Sequence, residues 1–169
     1  MKNLSIVFQG PAAGPDGELQ PDVLLNLQRT RQVFPAAEII LSTWMLLTTQ
    51  IPAWHRHLRP LEIKLILSED PGALAETHRG VRYVTNVNRL LVSSSAGLAA
   101  ASQLLAVKLR TDTWLSSRGV VNLLRQQVLS EDPAIPRDPA FTAFRARVIN
   151  AEWFARDARG SQPYLYHPG

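Results

Sequence analysis

The chain has 169 residues, of which 46% are hydrophobic and 19% are charged, and it contains no cysteine. This composition excludes a disordered chain, and the lack of cysteine excludes disulfides, thiol catalysis and metal sites with cysteine ligands. The formal net charge is +4, but the basic residues are scattered along the chain, so we expect no nucleic-acid partner, since that binding needs clustered cations.

Strands and helices are predicted to alternate along the chain. The strands are short apolar runs with β-branched residues, such as LSIVF and EIILST, and the helices show apolar residues at helical spacing. Asp138 and Pro139 suit the N-cap and first position of the last helix. In chain order the predicted elements are strand 4–8, helix 18–34, strand 38–43, helix 49–58, strand 61–68, helix 86–103, strand 104–110 and helices 118–129 and 139–156.

This order of elements predicts the fold class. Strands separated by helical crossovers pair in parallel, so we expect an α/β fold with a mostly parallel, Rossmann-like sheet and helices on both faces. A chain of this length is expected to form a single domain over residues 1–169. Within it we place the core sheet in residues 1–116 and a helical extension in residues 117–169.

Polar side chains follow each of the four predicted strands. In parallel α/β sheets ligands bind beyond the carboxyl ends of the strands, so these residues are the first candidates for a site. We call them the polar rim: Gln9-Gly10-Pro11, Ser42-Thr43-Trp44, Ser68-Glu69-Asp70 and Arg110-Thr111-Asp112. The dinucleotide fingerprint G-x-G-x-x-G and the P-loop are both absent, so neither of these phosphate cradles is expected.

Carboxylates and arginines of the rim suit a phosphorylated ligand. Asp112 is a candidate ligand for a divalent cation that bridges a diphosphate, because hard cations prefer oxygen. Arg110 lies on the same strand face as Asp112, where it either contacts a phosphate or pairs with that carboxylate. Asn86, Asn88 and Arg89 open the long helix, where an anion site and ordinary capping by an Asn are equally good interpretations. Of the adjacent Glu69 and Asp70, at most one should face the site.

Five ordered blocks of the sequence resemble the WavE family of lipopolysaccharide biosynthesis proteins. The blocks are LSIVFQGP, RQVFPAAEIILSTW, LSEDPG, NVNRLLVSSSAGL and KLRTDT, and the resemblance continues through FRARVINAEWFAR to YLYHP. It therefore covers nearly the whole chain. The resemblance implies a glycosyltransferase with a GT-A-like sheet, which acts in lipopolysaccharide or surface-glycan synthesis. Its implied partners are a nucleotide-diphospho-sugar donor and a glycan or glycolipid acceptor.

The resemblance also implies roles for individual residues. Gln9, Gly10 and Pro11 would line the nucleotide pocket, and Asp112 would correspond to the metal-binding aspartate of the family. The remaining nucleotide-sugar-binding candidates are Ser42, Thr43, Trp44, Glu69, Asp70, Asn88, Arg89 and Arg110. The implied cofactor is a divalent metal, Mn or Mg. However, the usual Asp-x-Asp is Arg110-Thr111-Asp112 here, which leaves metal dependence open and makes Arg110 an alternative stabiliser of the departing diphosphate. No residue is singled out as catalytic.

The length of the chain and its lack of long apolar runs lead to an alternative function and an expected location. The family resembled is longer, so we expect the fold to be incomplete at the C-terminus, without the half that usually carries the acceptor pocket. The alternative is therefore a truncated, non-catalytic relative that binds a nucleotide or a protein. No apolar run has the length of a membrane span and no signal peptide is recognised, so we expect a cytoplasmic protein with at most peripheral association with the inner membrane.

Overall fold

A computed structural model describes residues 3–128 of the chain. The chain divides into two compact units, Met1–Ser116 and Ser117–Gly169. In the first unit the strands are β1 Leu4–Gln9, β2 Glu38–Trp44, β3 Ile63–Ser68, β4 Leu74–His78, β5 Val81–Thr85 and β6 Leu105–Arg110. The helices of this unit are α1 Pro21–Val33, α2 Ile51–Leu58 and α3 Val87–Ala99. The described part of the second unit contains α4, Gly119–Val128.

Four strands form one parallel sheet in the order β3-β2-β1-β6, which confirms the predicted α/β fold. The central strand β1 is buried along its whole length. Its last residue, Gln9, pairs with Ser42 of β2 on one side and with Arg110 of β6 on the other. The carboxyl ends of the strands therefore lie along one edge of the sheet.

Helix α3 packs closely on one face of this sheet at a glycine. A Cβ atom on Gly97 would lie 2.4 Å from Cγ1 of Val7 and 2.9 Å from Cβ of Ser42, so only glycine allows this approach. Along β1 the side chains alternate between the faces, and Ile6 and Phe8 on the opposite face are also fully buried. Both faces of the sheet are therefore covered, as the sequence predicts.

Residues 74–85 form a hairpin, although the sequence analysis placed no strand between residues 68 and 86. Strands β4 and β5 pair antiparallel, and the turn between them places Arg79 at φ 50° and Gly80 at φ 76°. Two successive residues with positive φ are typical of a type I′ hairpin turn. Most side chains of the hairpin are exposed, so the sequence lacks the apolar alternation of a half-buried strand.

The helices are shorter than predicted. Helix α3 ends at Ala99 rather than at residue 103, and α1 begins at Pro21 rather than at residue 18. A 3-10 turn over Arg59–Leu61 delays the start of β3 to Ile63. The predicted helix 139–156, with Asp138 and Pro139, lies outside the described residues. Within residues 3–128 no helix is both long enough and apolar enough to span a bilayer.

Glu38 connects three segments at the amino end of the sheet. Its carboxylate accepts hydrogen bonds from the Ser5 hydroxyl, from the Ser102 hydroxyl at 3.1 Å and from the Ser102 amide at 2.8 Å. Partial burial raises the pKa of Glu38, but the hydrogen bonds from Ser102 and Ser5 outweigh it and leave the pKa below its usual value. The ionised carboxylate is thus the form that the fold stabilises.

We expect Glu38→Gln to lower the free energy of unfolding by about 1 kcal/mol at pH 7, because a partly exposed charged acceptor is lost. A lowered carboxylate pKa stabilises the fold above the pKa of the unfolded chain, and this contribution disappears as pH falls through the folded value. The gap between wild type and variant should therefore narrow below about pH 4 in urea titrations. Glu69→Gln, at an exposed carboxylate, is the control, and a gap that widens in acid would contradict the prediction.

Candidate functional site

The carboxyl edge of the sheet brings most of the polar rim together. The register places Ser42, Gln9 and Arg110 side by side across β2, β1 and β6, and Trp44 beside Ser68 of β3. Helix α3 runs antiparallel to the strands, since Ser93 lies at Gln9 and Gly97 lies deeper, at Val7. The first turn of α3 therefore reaches the same edge.

A buried hydrogen-bond network lies under this edge and fixes Gln9. The Ser93 hydroxyl lies 2.8 Å from Oε1 of Gln9 and 2.8 Å from the carbonyl of Arg89, and its one proton is shared between these acceptors. The Ser42 hydroxyl donates to the carbonyl of Ser93 at 2.8 Å. Gln9 is only 4% exposed, and in the described part of the chain its Nε2 donates to no protein acceptor. The network thus fixes Oε1 of Gln9 and leaves its Nε2 as a donor at the edge of the sheet. Sequence analysis missed Ser93, although it lies one helical turn after Arg89.

Gly10 and Pro11 form a braced turn between the ends of β1 and β6. Gly10 has φ 123°, a conformation that favours glycine, and a Cβ there would lie 3.3 Å from the Thr111 hydroxyl. That hydroxyl donates to the carbonyl of Pro11 at 2.8 Å. Asn26 of α1 donates to the carbonyl of Thr111 at 3.1 Å, so α1 also contacts the residue that braces this turn. Hydrogen bonds at Thr111 therefore connect the turn to α1 and to the end of β6.

Arg110 and Asp112 form an ion pair within one short segment. Nε and Nη2 of Arg110 donate to the two carboxylate oxygens of Asp112 at 3.0 and 2.6 Å. The hydrogen bonds from Arg110 hold the pKa of Asp112 below its usual value. Both side chains are more than half exposed, at 51% and 58%, so the pair is open to solvent and to a competing anion.

Asp70 and Arg89 form a second pair, which ties the loop after β3 to the first turn of α3. Nε and Nη2 of Arg89 each donate to Asp70 at 2.7 Å, and Nη1 donates to Asn86 at 3.1 Å. The hydrogen bonds from Arg89 lower the pKa of Asp70. Asn86 occupies the N-cap position without a side-chain capping bond, so it orients Arg89 rather than capping the helix. The pair joins the two ends of the segment that carries the hairpin.

Lys108 is an additional cation on the same face as Gln9 and Arg110. It pairs with Val7, which α3 covers, and alternation along β6 places Arg110 on that face as well. Burial, together with the charge of Arg110, lowers the pKa of Lys108. Within residues 3–128 the ammonium takes part in no hydrogen bond or ion pair. The sequence signal was its position two residues before Arg110.

The other predicted residues are placed less tightly. Ser42 and Thr43 are buried, Trp44 is partly exposed and Asn88 is half-buried at the first turn of α3. Glu69 is exposed, whereas its neighbour Asp70 forms the pair with Arg89, as expected of two adjacent side chains that point apart. A cavity of about 420 Å³ lies along α2, and its lining, which includes His55, Arg56 and Arg59, contains no residue of the polar rim.

Within residues 3–128 the rim does not present a ready set of oxygen ligands for a divalent cation. Asp112 and Asp70 each have both carboxylate oxygens engaged by an arginine. Among the residues that the structure describes, no group of three or more His, Asp or Glu side chains lies close enough together to hold a metal ion. The cations near this edge are Arg89, Arg110 and Lys108, of which the two arginines are paired with these carboxylates.

Comparison with known proteins identifies one relationship. No curated protein and no solved structure gives a significant match to the chain. The family model described as WavE lipopolysaccharide synthesis matches residues 4–169, which is almost the full length and includes every residue of the polar rim. The chain therefore belongs to the WavE lipopolysaccharide synthesis family.

Proposed function

We propose that the protein is a glycosyltransferase of lipopolysaccharide or surface-glycan synthesis that binds a nucleotide-diphospho-sugar donor at the carboxyl edge of its sheet. The observation that carries the proposal is the row of Ser42, Gln9 and Arg110 across three parallel strands. Such an edge is where parallel α/β sheets bind nucleotides. Family membership supports the glycan context.

The chemistry proposed is displacement at the anomeric carbon of the donor sugar. The bond from that carbon to the diphosphate oxygen breaks, and the nucleoside diphosphate leaves with the bonding electrons. The acceptor hydroxyl, on a glycan or glycolipid, forms the new bond to the anomeric carbon, and its proton passes to the departing diphosphate or to water. Negative charge grows on the leaving diphosphate, so cations at the rim would stabilise the transition state. Gln9 would offer to the nucleotide its Nε2, which donates to no acceptor within residues 3–128, and the braced turn at Gly10 and Pro11 would shape the pocket.

A nucleotide panel tests this proposal. We expect one of UDP, GDP, CDP or CMP, with or without Mn²⁺, to raise the melting temperature by about 5 °C at a hundred times its Kd. Arg110→Gln should reduce the shift. Arg56→Gln, at the separate cavity along α2, should leave it unchanged. If no nucleotide shifts the melting temperature under any condition, the donor-binding proposal is wrong. A nucleotide that binds without transfer to any acceptor would support the non-catalytic alternative.

A further inference from the structure

On one face of the sheet, the described residues place two cations, Lys108 and Arg110, close to the carboxylate of Asp112. Lys108 and Arg110 project from the same face of β6, two residues apart, which is about 7 Å along the strand. Asp112 is the carboxylate that pairs with Arg110, and Lys108 has no acidic partner in the described residues. The neighbouring elements add none, because β1 and the α3 segment 90–99 contain no ionisable side chain.

A half-buried ammonium without a counter-ion is unfavourable, since burial penalises its charge and a nearby arginine repels it. A protein that keeps such a group at a ligand edge gains when an anion binds there. The edge also holds a hydrogen-bond donor beside the two cations, the Nε2 of Gln9, which has no protein acceptor in residues 3–128.

The ion pair at Arg110 can yield to a ligand. Both partners are more than half exposed, and exposed ion pairs contribute little to stability. A diphosphate offers the same bidentate oxygens as the carboxylate, with more charge. It can therefore displace Asp112 from Arg110 at small cost.

We infer that Lys108 and Arg110 form a metal-independent diphosphate site in which Asp112 is a displaceable counter-ion rather than a metal ligand. The carboxylate of Asp112 binds the guanidinium of Arg110 when the site is empty, and the diphosphate takes its place on binding. This inference rests on the proposed function for the identity of the ligand, but it makes a separate statement about which charges bind it.

The two schemes predict opposite effects for one substitution. If Asp112 holds a metal, Asp112→Asn removes binding. If Asp112 competes with the ligand, Asp112→Asn removes the competitor from Nε and Nη2 of Arg110, and we expect binding about threefold tighter, since an exposed pair competes only weakly. Lys108→Met and Arg110→Gln should each weaken binding at least about tenfold, because each removes a charge-assisted contact. Glu18→Gln, at an exposed carboxylate outside the rim, is the charge-matched control for Asp112→Asn and should leave affinity unchanged.

The experiment is calorimetric titration of the full chain with pyrophosphate and with the nucleoside diphosphate that the panel selects, in EDTA and then in Mn²⁺. Binding in EDTA, with the three variants ordered as above, supports the inference. Binding of nucleotide that requires Mn²⁺ and is lost in Asp112→Asn overturns the inference but leaves the proposed function intact. Pyrophosphate binding with no preference for any nucleotide supports the anion site and overturns the nucleotide assignment. No binding of either ligand overturns both, provided that circular dichroism shows folded protein.

Discussion

Replacing Gly97 by valine should lower the free energy of unfolding by about 3 kcal/mol, because the new side chain would enter a contact that is already closed. Its Cβ alone would lie 2.4 Å from Cγ1 of Val7 and 2.9 Å from Cβ of Ser42. Both neighbours are fully buried on central strands, so neither can move without shifting β1, β2 or α3. A β-branched residue also gains less helix propensity over glycine than alanine does, so it offsets less of the clash.

A graded series separates this clash from helix propensity. Gly97→Ala places only the Cβ in the contact and gains about 1 kcal/mol of helix propensity, so we expect a smaller net loss, about 1 kcal/mol. Ser95→Ala, at an exposed position of the same helix, should be neutral or slightly stabilising. Urea unfolding measures all three variants. Equal stability of Gly97→Val and wild type would show that α3 does not rest on the sheet at this point.

Gly97→Ala should also disturb the polar rim. Ser93 lies one helical turn before Gly97, and its hydroxyl reaches Oε1 of Gln9 at 2.8 Å only while α3 stays close to the sheet. Moving the helix outward by a few tenths of an ångström lengthens this bond and the one from Ser42 to Ser93. We therefore expect weaker nucleotide binding in Gly97→Ala in addition to its lower stability. The glycine thus connects packing of the core with the geometry of the site.

The main sheet could be predicted from sequence because parallel strands buried on both faces are continuous apolar runs. Residues 4–8 and 38–43 show this pattern, and both strands lie at the centre of the sheet. The edge position of the candidate residues followed from a general rule for such sheets. The register adds what no rule supplied, namely that Gln9 lies between Ser42 and Arg110.

The hairpin, and the Asp70–Arg89 ion pair that flanks it in sequence, were not predictable in the same way. Strands β4 and β5 pair with each other and are largely exposed, so their sequences LAETH and VRYVT carry no apolar face for a pattern to reveal. The pair of Asp70 with Arg89 spans 19 residues and depends on where α3 lies on the sheet. Local spacing could suggest only the pair of Arg110 with Asp112, which lie two residues apart.

Arg31 presents a second large effect, and it concerns a residue of the family blocks that lies outside the rim. Its guanidinium joins three segments through backbone carbonyls. Nη1 donates to Ala37 at 2.7 Å, Nε donates to Leu61 at 2.8 Å and Nη2 donates to Glu62 at 3.1 Å. Burial lowers the pKa of Arg31, and the charge of Glu62 opposes that effect. One side chain thus fixes the end of α1 against the entries to β2 and β3.

We expect Arg31→Met to lower the free energy of unfolding by about 3 kcal/mol, since it keeps the apolar stem but leaves several carbonyls without their charged donor. The backbone at Glu62 should be destabilised most, because Glu62 has φ 52°, a strained conformation for a residue with a side chain. Arg56→Met on α2, an exposed arginine, is the matched control and should change stability by less than about 0.5 kcal/mol. If the two variants unfold at the same urea concentration, water replaces the guanidinium at these carbonyls. If Arg31→Met instead unfolds earlier but still binds nucleotide with unchanged affinity when folded, Arg31 supports the sheet without taking part in the site.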